Sequence, residues 1–230
     1  MQYINQPLVS KIRQKFCNVN TCPISGDRIF FENAGGALTL KSALETTTKF
    51  ASIPDNQGRD NLASQALNDV IKNAKSDLSE LFNTQSGEFF MGESGTELLF
   101  RLIRNAVVAS PSGGSVVGTS LEHPASRSAA KKWSNEMDYT YLSVPHSVET
   151  GTVDPRNYAD KISDTTRVVT IVHASPVTGM GTKIKEISKI VRQKAPLAFI
   201  IVDGIQHAAH GGIDIESYNI DGYVISPYKM

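Results

Sequence analysis

At 230 residues, with 40% hydrophobic and 7% aromatic side chains, the chain carries enough apolar material for one sizeable core without disulfide or metal staples. Twenty-three Lys and Arg balance twenty-three Asp and Glu with no block of like charge, which excludes the basic footprint of a nucleic-acid or polybasic membrane binder and leaves a small molecule as the expected partner. The start MQYINQPLVSKIRQKF lacks the apolar core and cleavage site of a signal peptide, and no run approaches the ~18 apolar residues of a membrane span, so the expected location is cytoplasmic.

Cys17 and Cys22 are the only cysteines, too few for a disulfide framework or a four-ligand zinc site, and are expected to be reduced thiols. QPLVSKIRQKF has weak helical spacing, RIFFENAGGALT is a β-prone run broken at Ala34-Gly35-Gly36, and LKSALETTTKFA returns to helix. From Asn61 to Asn83, Leu67, Val70, Ile71, Ala74, Leu78, Leu81 and Phe82 recur at steps of three and four, which predicts a long amphipathic helix.

Beyond it the pattern alternates. Strands are predicted at EFFM, SVVGT, DYTYLSV, RVVTIVH and LAFIIVD, with a last apolar run in DGYVISPYKM. Between them lie helices from Thr96, around PASRSAAKKW, at PRNYADKI and at KIKEISKIVRQK. Most of these strands are continuous apolar runs, the signature of strands buried on both faces and joined by helical crossovers, so the expected class is α/β with a mostly parallel sheet.

Ligands of such sheets sit beyond the carboxyl ends of the strands. The polar residues there are Asn33, Ser94 to Thr96, Glu122-His123, His173, Asp203, Gln206, Ser226 and Lys229. GESGTELLF sets Gly92, Ser94, Gly95 and Thr96 before a helix, where free N–H groups and the positive dipole end suit an anion, and equally where a plain serine or threonine cap belongs. A serine nucleophile elbow needs glycine where Thr96 stands. Asp203, His207 and His210 are spaced too loosely for a metal site.

A lysine just past a buried strand is expected to be paired or neutral, and a neutral amine attacks aldehydes. One aldehyde accounts for the whole set. Pyridoxal 5'-phosphate needs an amine (Lys229), a carboxylate for its ring nitrogen (Asp203), an anion cradle (Gly95 and Thr96 with Ser226) and a flat side chain (His123).

In order, FFENAGGA, GESGTELLF, EHPAS, HASPVTG, VDGIQHAAHGGIDI and SPYKM resemble the motifs of the class V aminotransferase and cysteine desulfurase family, fold type I pyridoxal-phosphate enzymes, over roughly Phe30 to Met230. The resemblance implies an N-terminal arm over 1–28 and a large cofactor-binding domain over 29–230, incomplete at its C-terminus and without the small C-terminal domain. It implies that Lys229 forms the internal aldimine, Asp203 pairs with the pyridine nitrogen, Gln206 bonds the ring hydroxyl, and His123 stacks on the ring. Gly95, Thr96 and Ser226 would hold the phosphate, and Asn33, Ala34 and Gly35 would border the substrate.

The implied activity begins with an external aldimine of an amino acid and is cysteine desulfurase-like; aminotransferase, lyase and epimerase chemistry share that start, and a non-catalytic remnant serving as an interaction module is the reading from another class. The family implies a homodimer when full length, while a chain stopping at its own lysine is expected to be inactive or poorly folded. Two substitutions depart from the desulfurase pattern: Pro176 stands where asparagine is usual and Tyr228 where histidine commonly precedes the lysine. Neither cysteine matches the persulfide position.

Overall fold

The computed structural model describes residues 5–54 and 58–230. The chain divides into two compact units, residues 1–78 with 228–230, and residues 79–227.

The first unit opens with α1 (Gln6–Arg13), whose first turn is capped by the Asn5 side chain and entered through Pro7. An antiparallel hairpin follows, β1 (Thr21–Cys22) and β2 (Gly26–Asp27). Gly26 takes φ +82°, a conformation that glycine adopts without a Cβ penalty. The β-prone run RIFF forms no strand, and Ile29 and Phe31 are exposed. Instead Glu32 closes a turn, its carbonyl accepting from Gly35 and Gly36 N–H. α2 (Lys41–Ala51) has no buried residue.

α3 (Leu62–Phe82) matches the predicted long helix to within a residue at each end. Asn61 caps it by accepting from Ser64 N–H at 2.9 Å. Its apolar stripe is only partly covered, since Val70, Ile71 and Leu81 stay exposed whereas Phe82 is buried.

The second unit is built on a five-stranded, wholly parallel sheet in the order β4-β3-β5-β6-β7. After α4 (Gly95–Ala109) come β3 (Ser115–Thr119), α5 (Pro124–Glu136), β4 (Thr140–Val144), α6 (Pro155–Ala159), β5 (Thr166–Val172), α7 (Ile184–Lys194), β6 (Phe199–Asp203), α8 (Ile215–Tyr218) and β7 (Gly222–Val224). The α/β class predicted from the runs is the class observed. Central strands β3, β5 and β6 are buried almost throughout, which is why they read as unbroken apolar runs.

The core joins Leu99, Ile103 and Val107 of α4 to Ala125, Ala129 and Ala130 of α5 across Val116, Val168 and Ile201 of the sheet. The alanines of α5 let that helix lie close to α4, and burying the larger side chains contributes about 1.5–3 kcal/mol each.

EFFM is a correction. It is not a strand; Phe90 and Met91 are exposed, and Phe89 stacks on Phe82 with centroids 5.9 Å apart. A strand exists only where a neighbour takes its backbone hydrogen bonds, and among the described residues none pairs with this segment. PRNYADKI likewise shortens to the five residues of α6.

Candidate active site

In the second unit, the polar residues singled out in the sequence gather at the carboxyl edge of the sheet. β6 ends on Asp203, 4% exposed, whose Oδ1 accepts from Ile205 N–H at 3.1 Å. The Ile205 side chain reaches Gly95, the first residue of α4. A Cβ added at Gly95 would lie 2.3 Å from Ile205 Cδ1 and 2.6 Å from Ser226 Oγ. Glycine is therefore required by close approach at a helix start, and it brings buried Ser226 against that start.

Ser94 caps α4, its Oγ accepting from Glu97 N–H at 3.1 Å, while Thr96 is exposed. The helix is thus capped by serine, and its positive end lies beside Ser226. Gln206 lies half-buried in the turn after Asp203.

Turns from adjacent strands carry His123 and His173. His123 is the N-cap of α5, and its Nδ1 accepts from Ala125 N–H at 3.1 Å, so in the neutral ring the proton is on Nε2. His173 is buried at the end of β5, with Nδ1 2.7 Å from Tyr223 OH and its ring stacked on His207 at 3.4 Å between centroids. Burial, and then the neighbouring His207, holds its pKa down at about 3. Tyr223 passes so close to Gly204 that a Cβ there would fall 2.1 Å from the ring. Burial pushes its phenol well up, with Tyr218 and Asp203 adding to the effect.

Sequence reasoning did not assign a role to Glu122. Its side chain is 2% exposed, and the carboxyl accepts from Thr170 Oγ1 at 2.5 Å, Thr119 N–H at 3.1 Å and Ser126 Oγ at 3.2 Å. Burial raises its pKa to about 7 against those bonds, with Asp203 adding a smaller push. A glutamate preceding a strand-tip histidine was the only available signal, and nothing in residue type announced that it would be buried.

Lys229, Ala34 and Gly35 belong to the first unit. There Lys229 Nζ donates to Ala34 O at 2.7 Å, Tyr228 O accepts from Ala37 N–H at 2.8 Å, and the Tyr228 ring packs on Gly36. Asn33 opens the turn containing Ala34 and Gly35. The reasoning that Lys229 emerges from a buried strand is corrected: β7 ends at Val224, and Lys229 closes a one-turn 3-10 helix, Pro227–Lys229, with its side chain half-buried and bonded to a carbonyl. Pro176 sits in a turn organised by Ser175, whose Oγ accepts from the N–H groups of Val177 and Thr178, both at 3.2 Å.

The chain belongs to the class-V aminotransferase family, whose model matches residues 29–230. It is 29% identical over 214 residues to a cysteine desulfurase-like protein of Aspergillus flavus, covering 90% of this chain and 48% of that one. Its fold is that of a cysteine desulfurase from Thermococcus onnurineus, with a TM-score of 0.84 at 18% identity, covering 95% of this chain and 53% of the other. A C-DES variant with glycine covalently linked to its PLP cofactor aligns with a TM-score of 0.77 at 20% identity, covering 94% and 55%. The chain spans about half the length of these relatives. Among the described residues no helix is long and apolar enough to cross a membrane.

Proposed function

We propose that the protein is a pyridoxal-phosphate enzyme acting on an amino acid with cysteine desulfurase-like chemistry, working in the cytoplasm as a homodimer. The observation that supports this reading best is the grouping of Asp203, Ile205, Gly95 and Ser226. A strand-tip carboxyl, a helix start free of side chain and a buried hydroxyl are linked through one isoleucine. These side chains fit the cofactor's donor and acceptor groups, and a methyl at Gly95 would fill the cradle.

When bound, the cofactor supplies an electron sink for charge developing at the amino acid's α-carbon. The protein's residues do the remainder. Asp203 would hold the proton on the ring nitrogen, and Gln206 would bond the ring hydroxyl. The amides of Gly95 and Thr96 would hold the phosphate together with Ser226 Oγ. His123 would lie against the ring and exclude water. Lys229 would hold the cofactor through its aldehyde, and its amine would be the group that moves a proton at the α-carbon. Asn33, Ala34 and Gly35 border the amino acid. Aminotransferase, lyase and epimerase outcomes use the same groups.

The test is to add pyridoxal phosphate, reduce with borohydride and map the modified peptide. Label on Lys229 is expected. A folded protein that takes no label, or takes it on another lysine, overturns the reading.

A further inference from the structure

We propose that Glu122 is a positioning residue for His123: its one buried carboxyl ties the end of β3, the first turn of α5 and strand β5 together, and so fixes the ring that lies between them. The purpose of the fixed ring rests on the cofactor reading above; the brace itself does not.

His123 follows Glu122 directly, and the segment from Thr119 to Ser126 must reverse from strand to helix within a few residues. Glu122 Oε1 reaches back to Thr119 N–H and across to Thr170 Oγ1, while Oε2 reaches forward to Ser126 Oγ. Two further bonds tighten the turn: Thr119 Oγ1 accepts from Leu121 N–H at 3.3 Å, and Ser120 Oγ lies 2.7 Å from His146 Nδ1. With the turn held at both ends, Ala125 N–H is aimed at His123 Nδ1, and the imidazole keeps one tautomer and one orientation.

The surroundings leave this carboxyl no alternative partner in water. A Cβ at Gly118 would lie 2.8 Å from Thr170 Oγ1, 2.9 Å from Tyr141 OH and 3.0 Å from Glu122 Oε2, so β3 approaches the group with bare backbone. Oε1 already accepts two bonds, which puts the proton of the neutral acid on Oε2, where it donates to Ser126 Oγ, the reverse of the bond that the carboxylate accepts. The polar and titratable groups around it are Tyr141 on β4, Tyr158 on α6, Thr170 on β5 and the Asp203 carboxyl on β6; on α5, Arg127 acts on Tyr141. The hydroxyl of Tyr158 is buried without a hydrogen-bond partner. Hence the proton on Glu122 is the adjustable element of the brace. Gln in its place is a permanent copy of the neutral acid, with its carbonyl toward Thr119 and Thr170 and its NH₂ toward Ser126.

The experiment uses the full chain without added cofactor, labelled with ¹⁵N and observed by NMR, the His123 signals being assigned by their loss in His123→Gln. Wild type is expected to show the Nε2–H tautomer at His123, and a Thr119 amide signal, bonded directly to the Glu122 carboxyl, that moves with a midpoint near pH 7. Glu122→Gln should keep the tautomer and lose the midpoint. Glu122→Ala should lose the tautomer preference; if that variant does not fold, Thr170→Val combined with Ser126→Ala takes its place. An unmoved His123 signature in the folded alanine or double variant, or a midpoint that survives in Glu122→Gln, overturns the proposal. Borohydride labelling of Lys229 in wild type keeps the two readings apart, since absence of label with an intact brace sinks the cofactor assignment alone.

Discussion

Replacing Glu122 by Gln should change how stability depends on pH, and the structure sets the size of the change. The carboxyl is buried and its pKa rises from an ordinary 4.5 to about 7. The native state then binds a proton that the unfolded chain has released between those two values. The stabilisation is therefore complete below 4.5 and is lost as pH rises through about 7. At about 1.4 kcal/mol per pH unit the gap amounts to roughly 3 kcal/mol. Glutamine keeps the bonds from Thr119 and Thr170 and has nothing to ionise. The variant should thus gain on wild type by roughly 3 kcal/mol between pH 4.5 and pH 7. Urea unfolding followed through Trp133, the single tryptophan, reads this directly, because Trp133 lies on α5 with Ser126. Taking the difference between the two proteins removes every other titrating group. Parallel stability curves across that window would show that Glu122 is already ionised in the native state, and the reasoning from burial would fail.

Gly95→Ala drives a methyl into Ile205 and Ser226; overpacking should cost about 1–3 kcal/mol, seen as a lowered urea midpoint, together with loss of pyridoxal-phosphate retention on gel filtration. Tyr223→Phe leaves buried His173 Nδ1 without its 2.7 Å partner, a loss of about 1–3 kcal/mol that equilibrium unfolding near neutral pH should register; equal stability would refute the bond. His173 is held neutral down to about 3, so its contribution is present above the ordinary 6.5 and is lost as pH falls from there through about 3. Its ring carbon protons should show no titration near 6.5 by NMR, whereas a midpoint there would place the ring in solvent.

What was legible in the sequence divides by physical cause. β3, β5 and β6 were legible because strands buried on both faces tolerate only apolar side chains, and the helices between them because crossover helices carry one apolar stripe. Asp203 was legible as the end of such a run, Ser226 as the polar residue after the last apolar run, and Gly95 from the serine-glycine start of a helix, although the strand expected before it is absent. EFFM misled because strand propensity describes side chains while a strand is defined by a neighbour's backbone. The β1–β2 hairpin went unread since its strands are two residues each and rest on Gly26 φ. Lys229 was placed too deep, because five residues past a strand is enough for the backbone to turn away, and the Ala34 carbonyl that accepts its hydrogen bond lies 195 residues off in sequence.

Glu122 was the residue least open to sequence reasoning, and its state bears on the whole edge of the sheet. Two carboxyls stand at the tips of this sheet, and each ionised one raises the cost of ionising the other: Asp203 is among the groups that lift Glu122. Three hydrogen bonds favour the Glu122 carboxylate, yet burial outweighs them. The balance falls on Glu122 because its surroundings are hydroxyls and bare strand, with no basic group in hydrogen-bond contact. With Glu122 neutral, one negative charge instead of two faces whatever occupies the edge. On the cofactor reading proposed above, a protonated ring nitrogen would meet Asp203 without a rival carboxylate, while the uncharged brace holds the imidazole. Burying a glutamate beside the histidine therefore gives rigidity without a competing charge at pH values below about 7, where the carboxyl keeps its proton.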